Sequence, residues 1–290
     1  MPTCFNEIQR FQSLLSNRYE SDEAESITQM VVEEVLHLKR HEWRLAGDKE
    51  IDERTCHLLN DILGRLLAGE PIQYILGHAW FLNERYLVNS GTLIPRPETE
   101  ELVQWLIESI DRNKNYRILD VGTGTGCIAI SIQKALPDAQ VYAIDLSRAA
   151  IQTARMNAQN ILGPEAAHRM IQADMTDARW WDEQNAWEII VSNPPYVMES
   201  EKKEMEEHVF AFEPSSALFV SNNEPLFFYS TLAEKAQKHL TPEGQLYFEI
   251  NAALGQATKD MLYEYGFESE LRKDLFGKDR MIRARKANRT

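Results

Sequence analysis

Residues 117–130 read RILDVGTGTGCIAI, and this stretch decides the fold. The apolar run RILDV predicts a buried strand, the three closely spaced glycines predict a tight turn, and the apolar residues after them predict a helix. Glycine adopts positive φ angles at little cost and lets a ligand approach the backbone closely, because it has no Cβ atom. The stretch therefore predicts a strand, a turn and a helix, with a ligand site at the turn.

The spacing of the glycines indicates the kind of ligand. Gly122, Gly124 and Gly126 give the pattern GxGxG. The dinucleotide fingerprint needs a small residue three places after its second glycine, where this chain has Cys127. The pattern fits a loop for S-adenosylmethionine better than a loop for a pyrophosphate. Such a site needs a carboxylate for the ribose hydroxyls at the end of the next strand, and Asp145 stands there.

Later stretches repeat the order of strand, turn and helix. VYAIDL, EIIVS and QLYFEI read as strands, and helices are predicted to about Leu136, from Arg148 and from Ala253. This alternation builds a parallel sheet with helices on both faces, and ligands bind at the carboxyl ends of its strands. Asp174 falls where a third strand would end, and Met175 beside it offers an apolar surface for adenine.

The motif NPPY, residues 193–196, follows the fourth strand. Proline cannot continue a strand ladder, so Pro194 and Pro195 end the strand and leave Asn193 at the ligand end of the sheet. If the Asn193 side-chain oxygen and the Pro194 carbonyl each accept one N–H of a target NH2 group, they hold a conjugated amide or aromatic amine with its face toward the methyl donor. Tyr196 would stack on such a flat target. No general base is needed before transfer, because the nitrogen becomes acidic only once it is methylated.

The first 77 residues show helical periodicity only. Asp22 and Glu25 resemble a capping box at the start of one helix, and a second helix is predicted from about Asp52 to Gly69. We interpret residues 1–77 as a small helical bundle that forms an accessory domain without chemistry of its own, and we expect this domain to recognise the substrate.

An aromatic, alternating stretch follows this bundle. Its pattern predicts a β-hairpin, and residues 78–95 are interpreted as a linker to a larger domain of residues 96–290. Pro95 and Pro97 predict an extended approach to the next helix, whose first turn is acidic, as the helix dipole favours. The chain is therefore expected to contain two domains joined by a hairpin.

Composition excludes several classes of protein. The formal net charge of −14 has the wrong sign for bulk nucleic-acid binding, so no direct nucleic-acid partner is expected. No signal peptide and no long apolar run is present, which predicts a cytosolic protein without membrane association. The three cysteines lack the spacing of a zinc site or a disulfide framework, so no metal is expected.

Six motifs together resemble the peptide chain release factor glutamine methyltransferase family, also called HemK or PrmC. They are GEPIQYILGHAWF, LIPRPETEELV, ILDVGTGTGCIAI, IVSNPPY, FEPSSAL and DLFGKDRMI. The resemblance covers nearly the whole larger domain, and DNA adenine methyltransferases share NPPY but lack the first two motifs and FEPSSAL. It implies a Rossmann-like S-adenosylmethionine-dependent methyltransferase fold, with a seven-stranded, mostly parallel sheet and a small N-terminal helical bundle joined by a β-hairpin.

The resemblance also implies a reaction and a set of site residues. The family methylates the side-chain nitrogen N5 of the glutamine in the Gly-Gly-Gln motif of release factors and converts S-adenosyl-L-methionine to S-adenosyl-L-homocysteine. Residues 193–196 would hold the glutamine amide, with Asn193, Pro194 and Tyr196 as the catalytic residues. Arg96 and Glu98 would line the same pocket. The residues expected to bind the cofactor are Gly122, Thr123, Gly124, Thr125, Gly126, Asp145, Met175 and Asn193.

Two other functions are compatible with parts of the sequence. An N6-adenine methyltransferase acting on DNA or RNA would also bind a conjugated NH2 group, after base flipping or on a single strand. The net charge and the lack of an obvious target-recognition insert disfavour it. A non-catalytic binding module with this fold would be expected to show a damaged glycine loop or to lack Asn193, and this chain retains both.

Overall fold

A computed structural model describes residues 2–43, 45–204 and 211–287. The chain divides into two compact units. The first extends to Gly77 and also takes in Ala211 and Phe212, whereas the second begins at His78 and contains the rest of the described chain.

The first unit is a helical bundle, as predicted. Its helices are α1 (Cys4–Leu15), α2 (Ser21–Leu36), α3 (Glu53–Leu67) and α4 (Ile72–Leu76). Their apolar faces form a common core that includes Phe11, Leu15, Val31, Leu63 and Leu66.

Helix boundaries in this unit test two predicted caps. The start near Asp52 is confirmed, because the Asp52 side chain accepts a hydrogen bond from the Thr55 N–H (2.7 Å). The capping box at Asp22 and Glu25 is wrong: α2 already begins at Ser21, and the residue before it, Glu20, makes no side-chain cap. Asp22 instead lies in the first turn, where the helix dipole stabilises its charge.

The second unit opens with the predicted hairpin. Strand β1 (His78–Phe81) pairs with β2 (Glu84–Leu87) in antiparallel register. The two residues between them, Leu82 and Asn83, both have positive φ angles, 46° and 64°, as a two-residue hairpin turn requires. Helix α5 (Pro97–Ser109) follows with Pro97 in its first turn, and this helix carries residues of the candidate site.

The central sheet of the described chain has seven strands. They are β3 (Arg117–Val121), β4 (Gln140–Asp145), β5 (Met170–Gln172), β6 (Trp187–Ser192), β9 (Leu240–Glu249), β10 (Phe267–Lys273) and β11 (Asp279–Lys286). Their spatial order is β10-β11-β9-β6-β3-β4-β5, and β11 is antiparallel to both of its neighbours while the other pairs are parallel. The predicted seven-stranded, mostly parallel sheet is therefore confirmed. From β3 the chain adds β4 and β5 on one side of the sheet and then β6 on the other side of β3. Ligands of such sheets bind at the point where the strand order reverses in this way.

Helices cover both faces of this sheet. They are α6 (Cys127–Ala135), α7 (Arg148–Leu162), α8 (Ala178–Asp182), α9 (Ser215–Leu218), α10 (Phe227–His239) and α11 (Gly255–Glu264). One apolar core joins α5, α6 and α7 to the sheet, and a second joins α10 and α11 to it. Short strands β7 (Val197–Met198) and β8 (Phe219–Val220) pair in parallel beyond β6. In the described part of the chain, no helix is both long enough and apolar enough to cross a membrane.

Candidate active site

The loop between β3 and α6 holds three glycines in the left-handed region. Gly122, Gly124 and Gly126 have φ angles of 75°, 55° and 84°. A Cβ atom on Gly122 or Gly124 would meet nothing within 4 Å. A Cβ atom on Gly126 would lie 2.9 Å from Ile130 Cδ1 and 3.2 Å from Ala154 Cβ. The first two glycines therefore face open space, whereas Gly126 allows α6 to pack closely against α7.

Asp145 ends β4 and contacts the same loop. Its carboxylate accepts hydrogen bonds from the backbone N–H groups of Gly124 (2.9 Å) and Ser147 (2.8 Å). Burial raises the pKa of Asp145 above its ordinary value, while these two hydrogen bonds act in the opposite direction. The Asp145 carboxylate thus lies at the end of β4 and beside the glycine loop, as the sequence predicts.

Asp120 is a second buried carboxylate under this loop. It is 0% exposed, and its Oδ2 atom accepts hydrogen bonds from the Thr123 hydroxyl (2.6 Å) and the Ala129 N–H (3.2 Å). Its Oδ1 atom has no hydrogen-bond partner among the described residues. Burial raises the pKa of Asp120 to about 7, and the nearby charge of Asp145 adds to this shift. Ionisation of Asp120 in the folded protein is therefore costly.

We expect Asp120 to make the free protein less stable as the pH rises. Aspartate titrates near 3.8 in the unfolded chain and near 7 in the folded protein, so its contribution to stability is complete below pH 4 and is lost as the pH rises through 7. Asp120→Asn removes the charge and keeps one acceptor for Thr123 and Ala129. Asp120→Asn should therefore become more stable relative to the wild type as the pH rises. The difference between their free energies of unfolding should increase by about 2 kcal/mol from pH 5.5 to pH 8. Urea unfolding at both pH values measures this change, and a constant difference between the two proteins would contradict it.

The NPPY segment begins directly after β6. The last strand residue, Ser192, donates its hydroxyl hydrogen to the Val121 carbonyl (2.6 Å), which ties the end of β6 to the end of β3. The Asn193 side-chain N–H group donates to the Thr99 hydroxyl oxygen (3.0 Å). The Tyr196 hydroxyl donates to Glu249 (3.0 Å), and the Tyr196 ring packs against the apolar core. The segment is thus anchored to α5 and to the end of β9.

One cleft brings the two predicted motifs together. The glycine loop and Asn193 both line it, together with the segment before α5 and the first turns of α5 and α6. Asn193 is the member of the NPPY segment in this lining set. Its lining residues are Leu93, Pro95, Arg96, Thr99, Gly122, Thr123, Gly124, Thr125, Cys127, Ile128 and Asn193.

Some predicted site residues lie outside that lining set. Gly126 is used in helix packing, and Met175 packs partly buried against the core, where its carbonyl accepts the Trp181 indole N–H (2.8 Å). Asp174 accepts hydrogen bonds from the backbone and hydroxyl of Thr176. Arg96 lines the cleft and pairs with Glu213, whereas its neighbour Glu98 is outside the lining set.

Sequence reasoning missed three buried polar residues at the cleft: Thr99 lines it, and Glu213 and Glu249 accept hydrogen bonds from lining residues. Glu213 is 4% exposed and accepts hydrogen bonds from Arg96 and from the Ile94 N–H (3.1 Å), so it fixes the wall before α5. Glu249 is 1% exposed. A signal for it was present, because a carboxylate in the otherwise apolar strand QLYFEI requires a buried partner.

These residues fit S-adenosylmethionine, a cofactor with a positively charged sulfonium and ammonium group. Two glycines open the backbone toward the cleft. Asp120 and Asp145 accept hydrogen bonds from the glycine loop, and Glu249 accepts one from Thr99. Burial raises the pKa of each carboxylate, so a cation bound nearby would favour the ionised forms. In the described residues, no group of three or more acidic, histidine or cysteine side chains is placed to hold a metal ion.

The sequence is similar to those of known methyltransferases. A family model described as "Methyltransferase small domain" matches residues 100–219, and one described as "PrmC N-terminal domain" matches residues 7–77. The "Release factor glutamine methyltransferase" of Flavobacterium psychrophilum is 43% identical over 94% of this chain and 96% of its own length. The protein of the same name from Bacteroides thetaiotaomicron is 40% identical over 93% of this chain and 95% of its own length.

A solved structure is also similar. The "protein-(glutamine-N5) methyltransferase (release factor-specific)" of Alicyclobacillus acidocaldarius is 28% identical, covers 69% of this chain and 99% of its own, and superposes with a TM-score of 0.41. The two full-length relatives decide the assignment, because each is well above 30% identical over nearly the whole chain. The second unit has the fold of S-adenosylmethionine-dependent methyltransferases, and the chain belongs to the release factor glutamine methyltransferase family.

Proposed function

We propose that this protein transfers a methyl group from S-adenosylmethionine to the side-chain nitrogen N5 of the glutamine in the Gly-Gly-Gln motif of peptide chain release factors. The observation that carries the proposal is the shared cleft, which the glycine loop and Asn193 line together. Full-length similarity to relatives named for this reaction supports the choice of substrate. The proposed substrates are translation proteins, so the proposed place of action is the cytosol.

The target amide would be held by two acceptors. The Asn193 Oδ1 atom and the Pro194 carbonyl each accept one N–H of the glutamine NH2 group, and Tyr196 contacts its flat face. Because the amide lone pair is delocalised, holding the plane of the group toward the methyl donor is the main task of the site. Pro194 is buried and Asn193 is held by Thr99, so both acceptors are fixed in place before the target binds.

The cofactor would occupy the other side of the cleft. When bound, S-adenosylmethionine supplies an electrophilic methyl group. In the proposed arrangement the backbone of residues 122–125 approaches it closely, and Asp145 accepts hydrogen bonds from its ribose hydroxyls while keeping the loop in place through Gly124. Met175 and Gly126 would act indirectly, through the packing around the loop. The proposal includes no metal ion, because the methyl group needs no further activation.

The proposal is tested with methyl-labelled cofactor. The enzyme is incubated separately with a release factor, with the same factor carrying glutamine→alanine in its Gly-Gly-Gln motif, with plasmid DNA and with tRNA. We expect label only in the unaltered release factor, and peptide mass spectrometry should place one methyl group on that glutamine. Label in DNA or tRNA would instead support the N6-adenine methyltransferase.

We also propose that residues 1–77 recognise the folded substrate protein. The lining residues of the cleft all belong to the second unit, and a cleft that selects an amide cannot by itself distinguish one glutamine from another. The intact enzyme should therefore show a higher kcat/KM for a folded release factor than for a short Gly-Gly-Gln peptide.

Deleting residues 1–77 should reduce that preference and leave peptide methylation largely intact, provided that circular dichroism shows a folded truncated enzyme. An equal loss on both substrates would mean that these residues support the active site structurally.

A further inference from the structure

A chain of hydrogen bonds connects Asn193 to a buried carboxylate. The Asn193 NH2 group donates to the Thr99 hydroxyl oxygen (3.0 Å), and the Thr99 hydroxyl donates to Glu249 Oε2 (2.6 Å). Thr99 and Glu249 are 3% and 1% exposed, so the contact between these two side chains is shielded from water. The three residues come from α5, from the end of β6 and from the end of β9, which are far apart in the sequence.

The direction of these hydrogen bonds follows from the number of hydrogens that each side chain can donate. Thr99 has one hydroxyl hydrogen, and it donates that hydrogen to Glu249 Oε2. If Thr99 turned its hydrogen toward Asn193, its lone pairs would face Glu249 at 2.6 Å, which is repulsive. Thr99 must therefore accept from Asn193, and the Asn193 amide must turn its nitrogen toward Thr99. The Asn193 oxygen is then the atom left for a ligand in the cleft.

Each carboxylate oxygen of Glu249 accepts one hydroxyl hydrogen. Tyr196 donates its hydroxyl hydrogen to Oε1 while Thr99 donates to Oε2, so both oxygens receive a donor. Burial raises the pKa of Glu249, and the two hydroxyl donors together with the positive charge of Arg280 act against that shift. One carboxylate thus orients both Asn193 and Tyr196.

We propose that Thr99 and Glu249 are positioning residues, which fix the Asn193 amide so that its oxygen and not its nitrogen is presented to the methyl acceptor. The inference rests on the proposed function for the identity of that acceptor. A flipped Asn193 would place N–H groups against the N–H groups of the target, so the amide would not be held. The role of the pair is to exclude that flipped orientation.

Two substitutions at Thr99 test this role. Thr99→Val removes the hydroxyl with little change of shape, and Thr99→Ser keeps it. We expect Thr99→Val to lower kcat for methylation of a release factor by about tenfold or more, with affinity for S-adenosylhomocysteine within about threefold of wild type. Thr99→Ser should restore most of the rate. Equal rates for wild type and Thr99→Val, or equal losses in both variants, would overturn the inference.

Thr99→Val in an Asn193→Ala background distinguishes an effect on the orientation of Asn193 from a general disruption of the cleft. If Thr99 acts through Asn193, then Thr99→Val should cause no further loss of single-turnover rate once the Asn193 amide is absent. A further loss of tenfold would show that Thr99 acts on the cleft in another way and would overturn the inference.

A second readout does not depend on the methyl acceptor. The side-chain NH2 signal of Asn193, assigned by its absence in Asn193→Ala, should shift in the ¹⁵N–¹H spectrum of Thr99→Val and stay near its wild-type position in Thr99→Ser. An unshifted signal in Thr99→Val would refute the contact. Failure of the wild type to methylate release factors, with this NMR pattern present, would refute the proposed substrate and leave the orientation of Asn193 established.

Discussion

Replacing Asn193 with alanine is expected to lower the rate of methyl transfer by at least roughly a hundredfold while changing cofactor affinity only a few fold. The alanine variant keeps the Pro194 carbonyl but loses the side-chain oxygen that holds the second N–H of the target. The target amide can then rotate out of line with the methyl donor. Because this interaction orients the reacting group, its loss should fall on the chemical step.

Single-turnover methylation of a release factor measures this effect, and titration calorimetry with S-adenosylhomocysteine measures cofactor affinity. Asn223→Ala is a matched control, because Asn223 is exposed in the loop after β8. The control should react like the wild type. A rate near that of wild type for Asn193→Ala would remove Asn193 from the proposed mechanism.

Replacing Asp145 with alanine should instead weaken cofactor binding, by roughly tenfold to a hundredfold. The carboxylate is expected to bind the ribose in the ground state and the transition state alike, so its loss raises KM for the cofactor more than it lowers kcat. It also holds the Gly124 N–H, so the loop itself loses a support. Hydrogen bonds to a charged group contribute about 1.5–3 kcal/mol, which corresponds to the stated range.

Calorimetry with S-adenosylhomocysteine is again the direct measurement. Asp138→Ala serves as control, because Asp138 is an exposed carboxylate between α6 and β4. Asp138→Ala should bind the ligand like the wild type. Unchanged affinity in Asp145→Ala would place the ribose elsewhere in the cleft.

Local patterns in the sequence predict much of the fold and of the site. A strand followed by glycines and a helix places Asp145 at the carboxyl end of β4 and Asn193 just after β6, because parallel strands end at one edge of the sheet. The hairpin was predictable as well, because alternating residues on both sides of a short turn are a local feature of the sequence. Features that depend on residues close together in the sequence could therefore be predicted from the sequence alone.

Contacts between distant segments were not predictable. Thr99 meets Glu249 from 150 positions away, and no spacing rule connects a helix residue to the end of a strand so far along the chain. The glycine at position 126 shows the same limit: the sequence indicates a ligand loop, but only the packing of α6 on α7 shows that this glycine prevents a clash. The wrong cap at Asp22 reflects a helix that begins two residues earlier than the capping pattern suggests.

The position of Cys127 affects how the protein tolerates oxidants and alkylating reagents. This cysteine begins α6 and lines the cleft, yet it is only 7% exposed. Burial raises the pKa of its thiol to about 12, so the thiol form predominates at pH 7. Since the thiolate is the form that reacts with electrophiles and peroxides, a cysteine in the wall of the cleft does not make the site redox-sensitive. Cys127 itself should therefore resist peroxides and alkylating reagents that modify an exposed, acidic thiol.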